Sequence, residues 1–223
     1  MLVIFDCDGV LVDSENLAAH IFSQCLQDYG VTMSAKMCYQ NFKGHTLDYC
    51  LAWLQENIPS PAKKIDVGFI RLLEAETQKG FAESLQAVEG IELVLKRLQE
   101  KCIPFCVASN GAHKKIAHSL ERTGLLHFFE GRQFSREDVR SGKPSPDLFL
   151  YAAECSGVEP RFVKVVEDSL SGVKAAQAAG MQTLLYAANR EDWHEQFIGE
   201  VKEGRAVKVF YAMPRVLELL GIA

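Results

Sequence analysis

Four consecutive apolar residues, Leu2-Val3-Ile4-Phe5, stand near the start of the chain. A run that short and uninterrupted reads as a strand buried on both faces. The pattern then turns helical. Leu17, Ala18, Ile21, Phe22, Cys25 and Leu26 recur at helical spacing, with Ser14 placed to cap that helix and Gly30 to close it. Leu47, Cys50, Leu51 and Leu54 mark a second helix that stops before Pro59, and Phe69, Ile70, Leu73 and Ala75 mark a third. Residues 14–84 therefore predict helices and no strand. From about residue 88 strands and helices alternate. Helix 89–101 precedes strand 104–108, helix 113–123 and a loop around Phe128–Phe134. Helix 146–155 leads to strand 162–166, helix 171–179, strand 182–186, a weak strand at 206–211 and a last helix at 213–220. Such alternation predicts an α/β fold with a mostly parallel sheet covered on both faces. The simplest organisation is a core of residues 1–13 and 86–223, with an α-helical cap, residues 14–85, inserted after the first strand. Its hinges would lie near Asp13–Glu15 and Gly80–Ala87.

The composition changes little in this picture. With 223 residues and 48% hydrophobic content, the chain suits one globular domain or a core with a smaller insertion. Its net charge is −5, and no block of like charge occurs. A main partner among nucleic acids is not expected, because phosphate-backbone binding needs a basic patch. A small phosphorylated substrate is compatible, since the charge of a site is local. No run approaches the roughly 18 apolar residues of a membrane span. The N-terminus enters a core strand without a basic segment, unlike a signal peptide. Seven scattered cysteines without a C-x-x-C pattern predict reduced, mostly packed thiols in a cytoplasmic protein. Cys7 reads as a small buried filler.

The candidate chemistry sits where the strands end. Asp6-Cys7-Asp8-Gly9 follows the first strand directly. At the C-terminal end of an α/β strand, this spacing points two acids into the crevice where such folds bind ligands. Gly9 lets the backbone turn and bring its N–H close to an anion. Together these groups suit a magnesium ion shared with a phosphoryl group. The competing reading is a surface turn with two solvated acids. Strand 104–108 ends in Ser109-Asn110-Gly111, which offers a hydroxyl, an amide and a glycine N–H at a helix start. An ordinary helix cap by Ser109 or Asn110 explains the same residues. In Ser141-Gly142-Lys143-Pro144-Ser145-Pro146-Asp147 the two prolines stiffen the tether of Lys143, which otherwise reads as a solvated charge. Glu167-Asp168-Ser169 follows strand 162–166, where Asp168 or Ser169 could simply cap the next helix. All four clusters are read as following strands, and all suit one Mg–phosphoryl chemistry.

On these residues the chain resembles the haloacid dehalogenase-like hydrolase superfamily, in its phosphatase branch with a helical cap after the first strand. Phe5-Asp6-Cys7-Asp8-Gly9-Val10-Leu11-Val12-Asp13-Ser14-Glu15 matches its first motif and Ser109-Asn110 its second. Lys143-Pro144 with Pro146-Asp147 matches the third, and Glu167-Asp168-Ser169 with Gly172 the fourth. The resemblance implies a Rossmann-like core and a role for each residue. Asp6 attacks phosphorus and forms an aspartyl-phosphate, and Asp8 protonates the leaving alkoxide and later activates water. Asp6, the Asp8 carbonyl oxygen and Asp168 hold Mg²⁺, with Glu167 a direct or water-mediated ligand. Ser109, Lys143 and the N–H groups of Gly9 and Asn110 grip the phosphoryl oxygens. The cap closes over the substrate and excludes water. Lys43-Gly44-His45-Thr46, between two cap helices, resembles the family's cap-specificity loop, though a solvated inter-helix turn explains the same residues.

The branches of the superfamily divide on single residues. Dehalogenases lack the second aspartate, so Asp8 argues against carbon–halogen cleavage. Phosphonatases use a cap lysine, and Lys36, Lys43, Lys63, Lys64 and Lys79 leave that branch open, although its usual lysine lies in the helix after the first motif and Asn16–Tyr29 has none. Phosphosugar mutases of the β-phosphoglucomutase type share Lys43-Gly44. They carry a histidine where this chain has Ala18, two places from His20, and an arginine where it has Leu47. These departures favour net hydrolysis. Similar bacterial proteins act on sugar phosphates and 6-phosphogluconate, so the expected substrate is a phosphorylated sugar or sugar acid. A non-catalytic phosphate-binding or regulatory protein would typically lose a motif acid, and all are present. A phosphorelay receiver would carry neither the helical insertion nor Asp8 as acid/base. No membrane partner is expected, and the chain is taken as a monomer or dimer.

Overall fold

The computed structural model describes residues 1–43, 47–58, 65–188 and 207–222. Two compact units emerge: Met1–Val12 with Gln86–Ala223, and Asp13–Leu85.

The first unit is built on a six-stranded sheet. Its strands are β1 (Leu2–Phe5), β2 (Phe105–Ser109), β3 (Gln133–Ser135), β4 (Val163–Glu167), β5 (Gln182–Tyr186) and β6 (Val207–Phe210). All neighbours pair in parallel, in the order β3-β2-β1-β4-β5-β6. The continuous apolar run of β1 is what a central strand needs, and all four of its residues are buried. Alternate residues feed two layers. Leu2 and Ile4 join Cys106, Ala108, Leu148, Phe149 and Val165 in one core cluster. Phe5 meets the Phe105 ring edge-on at 6.3 Å, and Phe105 meets Phe129 at 5.5 Å. The chain crosses from β3 on one side of β1 to β4 on the other, so the strand order reverses beside β1. Ligands of open α/β sheets bind at that reversal, outside the C-terminal strand ends.

The second unit is helical: α1 (Ser14–Asp28), α2 (Ala35–Phe42), α3 (Leu47–Asn57) and α4 (Val67–Ser84). The apolar stripes read from the sequence meet in its own core, around Phe22, Leu26, Phe42, Leu54 and Phe69. The Phe22 ring lies 5.0 Å from Phe42 and 5.6 Å from Phe69. The remaining helices belong to the first unit: α5 (Ile91–Glu100), α6 (His113–Arg122), α7 (Asp147–Cys155), α8 (Leu170–Ala178) and α9 (Arg215–Leu220). No helix among the described residues is long and apolar enough to cross a membrane.

Two local expectations are corrected. Part of the loop expected at Phe128–Phe134 is strand: β3 begins at Gln133 and pairs with β2 in register Ser109↔Ser135. Its three residues are too few to show a period, and as an edge strand it has one neighbour only. Ser14 does not cap α1. Asp13 holds the N-cap position without a side-chain cap bond, and the buried Ser14 Oγ has no hydrogen-bond partner among the described residues. Gly30 does follow α1 with φ 75°, the left-handed conformation that ends a helix.

Candidate active site

The three central strands deliver their C-terminal ends to one edge of the sheet, and the candidate residues gather there. Asp6 follows β1, its N–H donating to Val166 O at 2.9 Å. Ser109 ends β2 and Glu167 ends β4, with Asp168 next. Lys143 comes from the loop before α7. Its ammonium donates to Asp6 Oδ1 at 2.6 Å and to Glu167 Oε1 at 2.7 Å. It also lies 4.8 Å from the centre of the buried Phe149 ring. The side chain is 3% exposed, so Lys143 is a built-in charge and not the solvated lysine of the competing reading.

Glu167 is saturated by donors. Its Oε2 accepts from Asp168 N at 2.9 Å, Ser169 N at 2.8 Å and Ser169 Oγ at 2.9 Å. Ser169 in turn accepts from Gly172 N at 3.1 Å and so caps α8, settling which of Asp168 and Ser169 plays that part. A Cβ on Gly172 would overlap the Glu167 carboxylate, and one on Gly9 would overlap that of Asp168. Gly9 also has φ 79°. Both glycines are therefore room for an acid.

Asp6, Glu167 and Asp168 are buried, and each offers a carboxylate oxygen within 4.8 Å of the others. Burial pushes the Asp6 carboxyl well above the usual carboxylate range, and Glu167 and Asp168 push the same way against Lys143. Burial pulls the Lys143 ammonium down, but Asp6 and Glu167 outweigh it and hold it above the usual lysine range. Asp6 and Glu167 share the Lys143 ammonium, and Asp168 brings a third carboxylate oxygen beside theirs. A hard divalent cation with oxygen ligands matches that donor set.

Other residues turn out differently from their sequence reading. The Asn110 amide clamps the lysine loop, donating to Lys143 O at 3.0 Å and accepting from Lys143 N at 2.8 Å. Gly111 N donates to Ser109 Oγ at 3.1 Å, so it is not the open N–H expected there. Neither Ser109 nor Asn110 caps α6. Glu137 Oε2 instead accepts from His113 N at 2.9 Å, and His113 Nε2 meets Asp138 Oδ1 at 2.8 Å. Gly9 N donates to Val12 O at 2.8 Å and closes the turn after β1, so it does not stand open to an anion. Asp8 carries a partner that the sequence reading missed: Lys115 Nζ donates to its Oδ2 at 2.7 Å. The available signal was His113-Lys114-Lys115 in the first turn of α6, where cations oppose the helix dipole unless an acid holds them. In the helical unit, Lys43 ends α2, its ammonium 5.2 Å from the Tyr39 ring centre. Gly44, His45 and Thr46 lie outside the described residues.

The family model for haloacid dehalogenase-like hydrolases matches residues 3–186. The chain is 30% identical over 187 residues to the 6-phosphogluconate phosphatase of Escherichia coli (strain K12), across 84% of this chain and 82% of that protein. It is 30% identical over 182 residues to the phosphorylated carbohydrates phosphatase of Thermotoga maritima, across 82% of each. Among solved structures, a HAD family hydrolase of Deinococcus radiodurans R1 with bound phosphate and sodium superposes with a TM-score of 0.86. That pair is 28% identical, over 99% of this chain and 94% of the other. The chain belongs to the haloacid dehalogenase-like hydrolase family, and within it to the phosphoric monoester hydrolases.

Proposed function

We propose that the chain hydrolyses the phosphate monoester of a small sugar or sugar acid, through an aspartyl-phosphate on Asp6 and with Mg²⁺ as cofactor. The observation that carries this reading is the buried cluster at the ends of β1 and β4, where Asp6 and Glu167 hold the Lys143 ammonium and Asp168 brings a third carboxylate oxygen within 4.8 Å of theirs. The substrate class follows the relatives, which are named for 6-phosphogluconate and for phosphorylated carbohydrates.

Asp6 attacks phosphorus as the bond to the leaving alkoxide breaks, and Asp8 gives that oxygen a proton. Asp8 then takes a proton from the water that attacks phosphorus, and the bond from Asp6 to phosphorus breaks. Lys143 and Ser109 Oγ, with the Asn110 N–H, hold phosphoryl oxygens and offset their charge. The Asn110 side chain keeps Lys143 in place. Asp6, Asp168 and the Asp8 carbonyl oxygen would hold the magnesium ion. Glu167, whose oxygens already accept from Lys143, Asp168 and Ser169, would act on it through water. When bound, the ion neutralises charge on the transferred phosphoryl group. The cap loop at Lys43, Gly44, His45 and Thr46 is the proposed source of substrate preference. Seven free thiols fit a reducing compartment, the cytoplasm.

The test is phosphate release from a panel of phosphorylated sugars and sugar acids. EDTA should abolish it and Mg²⁺ restore it. Ca²⁺ should bind without supporting turnover, because its larger and looser shell misplaces the nucleophile. Full activity in EDTA would remove the metal and with it the assigned role of Asp168.

A further inference from the structure

The contact between Lys115 and Asp8 calls for a reason. Lys115 lies in the first turn of α6, close after the Ser109-Asn110 strand end. An ammonium there opposes the helix dipole, and that turn contains no acid of its own. The Lys115 side chain is 49% exposed, and an ion pair so open to water adds little stability. Neither helix formation nor folding therefore accounts for the lysine. What it does hold is specific: Lys115 Nζ takes Asp8 Oδ2 at 2.7 Å. Asp8 Oδ1 is buried and has no hydrogen-bond partner among the described residues. One oxygen of the carboxylate is thus anchored and the other is left unengaged. Asp8 follows β1 by three residues, in a turn closed by bonds from Leu11 N and Val12 N to Cys7 O. Its backbone is fixed, and the remaining freedom lies in its own side-chain torsions.

We propose that Lys115 is a positioning residue: it fixes the Asp8 carboxylate through Oδ2, so that Oδ1 is the oxygen that carries the proton in both halves of phosphate-ester hydrolysis. The inference rests on the hydrolase reading above and adds to it a residue outside the four motifs. The proton balance is that of the proposed reaction. Oδ1–H gives its proton to the ester oxygen as the bond from phosphorus to that oxygen breaks. Oδ1 later takes a proton from the attacking water as the bond from Asp6 to phosphorus breaks. An anchored carboxylate meets the substrate already oriented, which is where small displacements cost most.

Two esters of similar shape and different leaving groups serve as probes: phenyl phosphate, whose more basic phenolate draws on a proton donor, and p-nitrophenyl phosphate, whose weakly basic nitrophenolate leaves without one. Lys115→Met should lower kcat/KM for phenyl phosphate about tenfold or more and for p-nitrophenyl phosphate about threefold or less. Lys115→Arg, which keeps a donor, should recover most of the loss. In an Asp8→Asn background, Lys115→Met should cost nothing further, since it acts through Asp8. Equal losses on both esters, or the same loss with Asp8 already replaced, would overturn the inference and leave the hydrolase reading intact. Release of phosphate from neither ester by the unaltered protein, or wild-type turnover of phenyl phosphate by Asp8→Asn alone, would overturn both.

Discussion

At the scale of the residue, two acids two positions apart are asked to do different work, and their surroundings differ accordingly. Asp6 is buried against Lys143, Glu167 and Asp168, and its carboxylate is the one aimed into the charged cluster. Asp8 is partly exposed and tied to Lys115. Asp6→Asn should therefore leave essentially no turnover, because no attacking anion remains. Asp8→Asn should cost about 10²–10⁴-fold, the usual weight of a general acid–base group. Its loss should shrink for esters with good leaving groups. Rates of phosphate release from the two variants check this, and near-wild-type turnover by Asp6→Asn would rule out covalent catalysis there. The acids themselves were legible because their spacing after an apolar run is local. Their cationic partners were not. Lys143 meets Asp6 across 137 positions of sequence and Lys115 meets Asp8 across 107, and no local pattern encodes such a pairing. Lys143 is legible only because two prolines follow it closely and a family resemblance names it.

At the scale of the element, the junction of β4 and α8 shows how one side chain serves structure and site together. Ser169 Oγ accepts from Gly172 N, capping α8, and donates to Glu167 Oε2. Removing a cap of this kind costs about 1 kcal/mol, and losing a hydrogen bond to a charged group about 1.5–3 kcal/mol. Ser169→Ala should destabilise the protein by about 1–3 kcal/mol in a denaturant titration. It should also lower kcat, since the acid beside Lys143 loses one of its three Oε2 donors. Ser169→Thr keeps the hydroxyl and should lose less on both measures. A Ser169→Ala protein as stable as the wild type would mean that Glu167 is held by the two backbone N–H groups alone. Elements whose signal is local read well here: the apolar run of β1, the stripes of α1 and α4, the glycine after α1. The exceptions have physical causes. β3 has three residues and one neighbour, so its pairing with β2 defines it more than its composition. The start of α1 follows Asp13, whose side chain binds Asn16 Nδ2 at 2.7 Å, and it leaves Ser14 inside the helix with its hydroxyl buried.

At the scale of the whole molecule, the chain leaves its sheet-bearing unit after Val12, builds a helical unit, and returns at Gln86. Each unit has its own apolar core. The sheet unit packs Leu2, Ile4, Phe149 and Val165 between strands and helices, and the helical unit packs Phe22, Phe42 and Phe69 among its helices. The two cores are separate clusters, so damage to one need not loosen the other. Phe69 is the sharpest place to ask. It is fully buried, 5.6 Å from the Phe22 ring and 5.2 Å from Tyr29, both edge-on. Replacing such a ring by Ala removes its transfer free energy and leaves a cavity, about 3–5 kcal/mol in all. We expect Phe69→Ala to raise amide hydrogen exchange throughout α1 and α4 by the factor that this loss implies. The amides of β1, β2 and β4 should keep their wild-type protection, because Phe69 belongs to the core cluster of the helical unit, while Leu2, Ile4, Cys106, Ala108, Val163 and Val165 belong to another. Exchange measured segment by segment separates the outcomes. Equal loss of protection in the sheet and in the helices would mean that the inserted unit and the sheet unfold as one cooperative body, and that the continuity of the chain through Asp13 and Gln86 outweighs the division of the core.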